Sequence, residues 1–65
     1  MNTTATNSLK DARLGRNVTQ EELAAAVGVS RQTIISIEKG KYVPSVALAL
    51  KLARFFKMPV EQLFE

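Results

Sequence analysis

The sequence predicts an all-α domain built from five helices. Ser, Thr or Asn residues suited to the N-cap position precede four apolar segments with helical spacing. Asn17, Gly28 and Gly40 follow the first three of these segments and suit the left-handed turn that ends a helix. No segment of the sequence alternates apolar and polar residues with the period of two that is typical of a half-buried strand.

The helix limits follow from these signals. Pro44 disfavours helical geometry at Val43 and so separates the third helix from the fourth. Pro59 suits the start of a last short helix, whose Val60, Leu63 and Phe64 can fold back onto the core. The expected helices are residues 8–15 or 8–16, 20–27, 31–38 or 31–39, 46–56, and a short one from Pro59 onward.

The second helix has the clearest start in the chain. Thr19 and Glu22 have the spacing of a capping box, in which each side chain bonds the backbone N–H of the other residue. Val18 and Leu23 flank this box at the positions of a hydrophobic staple. Residues 28–30 then join the second helix to the third, which is the spacing of a helix-turn-helix unit.

Composition argues against metal, redox and catalytic chemistry. The chain of 65 residues has no Cys and no His, so the usual zinc ligands and the commonest general base are missing. Ser36 and Lys39 have the S-x-x-K spacing of some acyl-transfer enzymes, but the partner motifs of those enzymes are absent. We therefore expect no enzyme, no metal, no cofactor and no small-molecule substrate.

The N-terminal segment and the apolar runs of the chain are informative about membrane targeting. Residues 1–7 are polar and have no apolar core, so we expect a flexible tail and not a secretory signal. The longest apolar run, residues 46–50, is far too short to span a bilayer. These features predict a soluble, cytoplasmic protein with no membrane partner.

Charge permits a polyanionic partner. The net charge is +3 and the isoelectric point is near 9.7. Arg31, Lys39 and Lys41 lie within one short region in which Glu38 is the nearest acid. A cluster of this kind is also typical of an ordinary solvated face.

The third helix has two unlike sides. At about 100° per residue, Ile34 and Ile37 share a narrow core stripe with Thr33. The neighbouring Ile35 falls on the opposite side and is expected to be exposed. The exposed residues are Arg31, Gln32, Ile35, Ser36 and Lys39. These side chains could contact DNA bases. They are equally consistent with an ordinary polar surface that includes one exposed Ile.

A family resemblance favours the first interpretation. The segments TQEELA, GVSRQTI, IEKG and PS, in this order and before an apolar helix, closely resemble the phage repressor/Cro-type helix-turn-helix family. The similarity extends over about residues 8–64. It implies a five-helix, lambda-repressor-like DNA-binding domain at residues 8–65, with the third helix in the major groove of double-stranded DNA.

The resemblance also implies roles for individual residues. By position, phosphate contacts are expected from Gln20 and Ser30, and further backbone contacts from Lys39 and Lys41, with Tyr42 as an additional candidate. The base-reading positions are Arg31, Gln32, Ile35 and Ser36.

Other positions matching the family concern structure. Arg13 and Glu38 match a pair that would form a salt bridge between the first and third helices, the alternative being two separately solvated charges. Asn17 and Lys57 stand where glycine is common in the family.

The function that follows is a sequence-specific transcriptional regulator, most simply a repressor acting by operator occupancy, although activation is not excluded. Useful specificity normally needs two half-sites, so a homodimer is expected. The candidate interface residues are apolar, and they could instead complete the monomer core: Leu48, Phe55, Met58 and Phe64. The alternative function is a protein-interaction module, an antitoxin-like or anti-regulator subunit that binds a partner through its apolar C-terminal helices.

Overall fold

The computed structural model describes residues 8–64, and these residues form five helices and no strand. The helices are α1 (Leu9–Gly15), α2 (Gln20–Val27), α3 (Arg31–Glu38), α4 (Val46–Phe56) and α5 (Val60–Leu63). The predicted all-α fold and the order of its helices are confirmed. The tail predicted for residues 1–7 lies outside the described residues.

Side-chain caps fix the starts of the three central helices. The hydroxyls of Thr19, Ser30 and Ser45 accept hydrogen bonds from backbone N–H groups three residues further on. For α1 the sequence offers Asn7 or Ser8 as the N-cap; Asn7 lies outside the described residues, and Ser8 occupies the position without a capping hydrogen bond from its side chain. Its backbone has a ψ of 4° and not the extended ψ near 160° seen at the other three caps.

Left-handed residues end the first four helices. The φ angles are 58° at Asn17, 77° at Gly28, 74° at Gly40 and 55° at Lys57. At each of these turns the N–H of the next residue donates back to a carbonyl five positions earlier in the chain, which satisfies an otherwise free helix-end acceptor. Lys57 is unusual here, because a long side chain in this conformation is strained.

Replacing Lys57 with glycine is therefore expected to stabilise the domain. The left-handed conformation costs a residue with a Cβ about 1–2 kcal/mol. Glycine avoids this cost, but part of the gain is lost because glycine has more conformational freedom in the unfolded chain. Lys57→Ala is the matched control, since it removes the same side chain and keeps the strain. The free energy of unfolding, measured in urea, should be about 1 kcal/mol higher for Lys57→Gly than for Lys57→Ala. Equal values would contradict strain at this position.

All five helices contribute to one core. The most deeply buried side chains, each with no exposed surface, are Leu9, Leu23, Ile34, Ile37, Leu52 and Leu63. The N–H of Ser8 donates to the carbonyl of Leu63 at 2.9 Å, which links the start of α1 to α5. This core positions α2 and α3, which pack directly against each other.

The apolar helix α4 is covered on one side only. Leu48, Leu52 and Phe56 are buried in the core, whereas Val46 is 77% exposed and Leu50 is 41% exposed. Of the two roles considered for Leu48, a dimer interface or the monomer core, the structure supports the core, since only 7% of this residue is exposed. Its place on the inner face of α4, one turn before Leu52, explains this burial.

Candidate nucleic-acid interface

The turn between α2 and α3 sets the angle between these two helices. Gly28 adopts the left-handed conformation directly after α2, and its N–H donates to the carbonyl of Ala24. Val29 is half-buried against the core, and Ser30 starts α3 with extended backbone geometry. The predicted helix-turn-helix spacing therefore corresponds to two short helices joined by a tight, well-bonded turn.

The start of α2 is held by the predicted capping box. The N–H of Glu22 donates to the Thr19 hydroxyl at 3.0 Å, and the N–H of Thr19 donates to the Glu22 carboxylate at 2.9 Å. Leu23 is fully buried, and Val18 packs against the same core, as expected for a hydrophobic staple. The first turn of α2 is thus fixed relative to the core.

Two isoleucines anchor α3. Ile34 and Ile37 have no exposed surface, and Thr33 beside them is half-buried. Their burial confirms the core stripe predicted from helical spacing. The opposite side of α3 faces outward, with Arg31 and Gln32 exposed, and Lys39 is exposed directly after the helix.

Two residues of the predicted outer face are less open than expected. Ile35 and Ser36 are half-buried, so Ile35 is less exposed than helical spacing predicts. The chain turns back immediately after α3, where the N–H of Lys41 donates to the carbonyl of Ser36 at 2.9 Å. This turn brings the exposed Lys41 close to the last turn of α3.

A buried hydrogen-bond network joins α1 to the end of α3. The Arg13 guanidinium donates to both Glu38 carboxylate oxygens, at 2.6 Å from Nε and 3.1 Å from Nη2. Its Nη1 donates to the carbonyl of Val18 at 3.0 Å. The Arg13 and Glu38 side chains are only 9% and 4% exposed, so the predicted salt bridge is confirmed and the alternative of two solvated charges is wrong.

The same network includes a contact that sequence reasoning missed. The Gln20 amide nitrogen donates to Glu38 at 3.1 Å, which joins the start of α2 to the end of α3. The amide has a second hydrogen, so this contact leaves one donor for an external acceptor. Residues eighteen positions apart carry no local signal of such a contact.

Comparison with known proteins identifies the domain. The family model described as helix-turn-helix matches residues 9–63. The chain belongs to this helix-turn-helix family. Its members are DNA-binding transcriptional regulators, and the predicted resemblance to phage repressor/Cro-type proteins is confirmed.

Relatives of the helix-turn-helix domain support this assignment. An HTH-type transcriptional regulator of Methanocaldococcus jannaschii is 59% identical over 58 residues, which are 89% of this chain and 88% of the relative. The cryptic phage CTXphi transcriptional repressor RstR of Vibrio cholerae is 35% identical over 88% of this chain and 51% of its own length. The restriction-modification controller protein C.AhdI of Aeromonas hydrophila has a similar structure, with a TM-score of 0.78 and 30% identity over 86% of this chain and 85% of its own.

Within the helix-turn-helix domain, the predicted contact residues fall into three groups. Arg31 and Gln32 are exposed on α3, and Lys39 and Lys41 are exposed just beyond it. Ile35 and Ser36 are half-buried on the same helix. Gln20 and Ser30, at or beside helix starts, already make hydrogen bonds within the domain.

Ser30 shows how a capping residue could serve two purposes. Its hydroxyl oxygen accepts from the N–H of Thr33 at 3.1 Å and lies 2.9 Å from the Thr33 hydroxyl. When Thr33 donates in that second contact, the Ser30 hydrogen is free for an external acceptor.

The surface of the helix-turn-helix domain beyond α3 is cationic. No Asp or Glu occurs between Glu38 and Glu61 in the sequence, whereas the same stretch contains five basic residues: Lys39, Lys41, Lys51, Arg54 and Lys57.

Within residues 8–64, no helix is long and apolar enough to cross a bilayer. Nor do the acidic residues described there gather into a group able to hold a metal ion.

Proposed function

We propose that this protein is a sequence-specific regulator that places α3 in the major groove of double-stranded DNA and represses transcription by occupying an operator. The observation that carries the proposal is the two-sided character of α3. Ile34 and Ile37 fix the helix to the core, while Arg31 and Gln32 project from its exposed side. Occupancy of an operator that overlaps a promoter would exclude polymerase without any catalytic step.

The outer side of α3 would read base edges. The Arg31 guanidinium suits a bidentate contact to guanine, and the Gln32 amide suits a bidentate contact to adenine. Ile35 retains enough exposed surface to pack on a thymine methyl group, and Ser36 beside it can donate or accept. Each good bidentate pair would contribute about 1–3 kcal/mol of discrimination.

Residues around α3 would hold the DNA backbone. Lys39 and Lys41 are exposed at the C-terminal end of the helix and would contact phosphates there. Gln20 has one amide hydrogen left after its bond to Glu38, and Ser30 has its hydroxyl hydrogen when Thr33 is the donor. These contacts would set the register of α3 in the groove without reading sequence.

A homodimer would supply the second half-site. Phe55 and Met58, beside the turn between α4 and α5, and Phe64, directly after α5, are half-buried and pack against the core, so each retains exposed apolar surface. This surface can self-associate about a twofold axis and place two α3 helices about 34 Å apart. Such a regulator would work in the cytoplasm with the DNA that it binds.

The dimer proposal is testable by sedimentation equilibrium over a range of concentrations. Met58→Lys is expected to shift the protein to monomer, because it places a charge within the apolar surface. Leu50→Lys is the matched control, since Leu50 is exposed on the outer side of α4, away from that turn. A wild-type protein that stays monomeric on operator DNA would contradict the proposal.

Operator binding is testable by selecting bound sites from random duplex DNA. The selected duplex and a scrambled duplex of equal composition are then titrated at several salt concentrations. We expect the selected duplex to bind at least about 10³-fold more tightly, as is typical of specific sites. Equal affinities for the two duplexes would contradict operator binding. The alternative of a protein-interaction module is not favoured by the similarity to transcriptional regulators.

A further inference from the structure

Arg16, in the turn between α1 and α2, reaches the C-terminal end of α4. Its Nη1 donates to the carbonyl of Phe55 at 3.2 Å, and its Nη2 donates to the carbonyl of Phe56 at 3.1 Å. These carbonyls belong to residues 39 and 40 positions further along the chain. Arg16 does not belong to the DNA-contacting set proposed above.

The end of α4 lacks the donors that would normally bond these two carbonyls. A helix carbonyl bonds the N–H four residues further on, and for Phe55 that residue is Pro59, which has no N–H. The left-handed Lys57 then turns the chain out of the helix, so the carbonyl of Phe56 has no partner within α4 either. The Arg16 guanidinium supplies donors from another segment of the chain.

The same guanidinium packs on an aromatic pair at the end of α4. Its Cζ lies 5.8 Å from the centroid of the Phe56 ring, within the range of a cation–π contact. The buried Phe56 ring meets the Phe55 ring edge to face, with the two centroids 4.9 Å apart. Phe55 is half-buried and belongs to the apolar surface proposed above for dimerisation. Arg16 thus restrains both the backbone of this residue and the ring against which it packs.

The last turn of α1 connects this end of α4 to α3. Arg13, one turn before Arg16, donates to both carboxylate oxygens of Glu38, the last residue of α3. The N–H of Arg16 donates to the carbonyl of Arg13 at 3.1 Å, which holds the two arginines within one turn of backbone. The end of α1 therefore bonds the end of α3 through one arginine and the end of α4 through the other.

We infer that Arg16 is a positioning residue for the dimer, which fixes the apolar surface at the end of α4 relative to α3 and thereby sets the spacing of the two half-sites. This inference rests on the proposed function, in which a second copy of the chain binds at that surface. Arg16 acts through Phe55 and the turn that follows it. Because Arg16 is exposed, its loss is expected to loosen the end of α4 without unfolding the domain.

Dimer affinity is the first measurement. In Arg16→Met, which keeps an apolar stem and removes the donors, Phe55 has to be ordered when two copies associate. Ordering one such side chain weakens association by about threefold to tenfold, which sedimentation equilibrium should show. Arg54→Met controls for the lost charge, because Arg54 is an exposed cation in the last turn of α4 that bonds neither carbonyl. Its dimer affinity should stay within about twofold of wild type.

Half-site spacing is the measurement that a purely structural role would not change. Two selected half-sites are placed on one duplex and separated by spacers that differ by single base pairs. Wild type should bind one spacing best, whereas Arg16→Met should discriminate less between neighbouring spacings, because its two α3 helices are held less firmly at one separation. Arg16→Lys keeps the charge and loses the forked donors, so it should fall between the two. Binding to a single half-site should be the same for all three proteins.

The outcomes separate this inference from the proposed function. A wild-type protein that stays monomeric on the selected duplex contradicts the proposed dimer and the role of Arg16 with it. A wild-type dimer whose spacing preference is matched by Arg16→Met overturns the role of Arg16 alone. A loss of affinity that is equal at every spacing has the same meaning, because it reports lower stability and not a displaced surface. Urea unfolding checks that each variant is folded, and Arg16→Lys decides the question if Arg16→Met is not.

Discussion

Replacing Arg13 with methionine is expected to lower the free energy of unfolding by about 3–5 kcal/mol, the typical cost of breaking a buried ion pair from one side. The substitution leaves the Glu38 carboxylate 4% exposed and without its cation. It also removes the donor to the Val18 carbonyl. A domain of this size has a total stability of about 3–10 kcal/mol, so Arg13→Met should lose a large fraction of it and would be mostly unfolded if the wild-type value lies near the lower end.

Two further variants make this result specific to the pair. Arg13→Lys keeps the charge and loses the forked geometry, so its stability should fall between wild type and Arg13→Met. The double variant Arg13→Met with Glu38→Leu should recover much of the loss, because neither buried charge is left unpaired. Urea unfolding followed by circular dichroism measures all three, and an Arg13→Met protein within about 0.5 kcal/mol of wild type would contradict the buried pair.

Replacing Ile34 with alanine is expected to cost about 2–5 kcal/mol of stability. Ile34 has no exposed surface, so the truncation removes buried methyl groups and leaves a cavity between α3 and the core. The neighbouring Ile35 is half-buried, and Ile35→Ala should cost no more than about 1 kcal/mol. The two variants are matched in chemistry and differ only in the side of α3 that they alter.

DNA binding should rank the same two variants in reverse order. Folded Ile34→Ala protein, studied at low temperature, should keep the site preference of wild type. Ile35→Ala should weaken binding to the selected duplex and relax the preference for thymine at one position. If Ile35→Ala changes neither affinity nor preference, then Ile35 makes no base contact.

Local chemistry explains why so much of the fold could be predicted. The capping box at Thr19, the capping serines at 30 and 45 and the left-handed Asn17 act within a few residues of the chain, so their signals are complete in the sequence. The two sides of α3 follow from helical spacing in the same way.

Contacts between helices account for what the sequence did not reveal. The bond from Gln20 to Glu38, the burial of Leu48 and the bonds from Arg16 to the end of α4 each depend on where distant segments pack. Helical spacing places Ile35 on the outer side of α3 but does not show how much of that side remains open. The Arg13–Glu38 salt bridge could be predicted only from the resemblance to phage repressor/Cro-type proteins, because the two residues lie far apart in the sequence.

The most direct test asks whether α3 determines the DNA sequence that is bound. Sites are selected from random duplexes in parallel with wild type, Gln32→Ala and Lys41→Ala. The Gln32→Ala consensus should lose its preference at one position and keep the others, at a cost of about 1–3 kcal/mol on the wild-type site. Lys41→Ala should weaken every sequence similarly and keep the wild-type consensus. An unchanged consensus for Gln32→Ala, as for Lys41→Ala, would contradict base reading by this residue of α3.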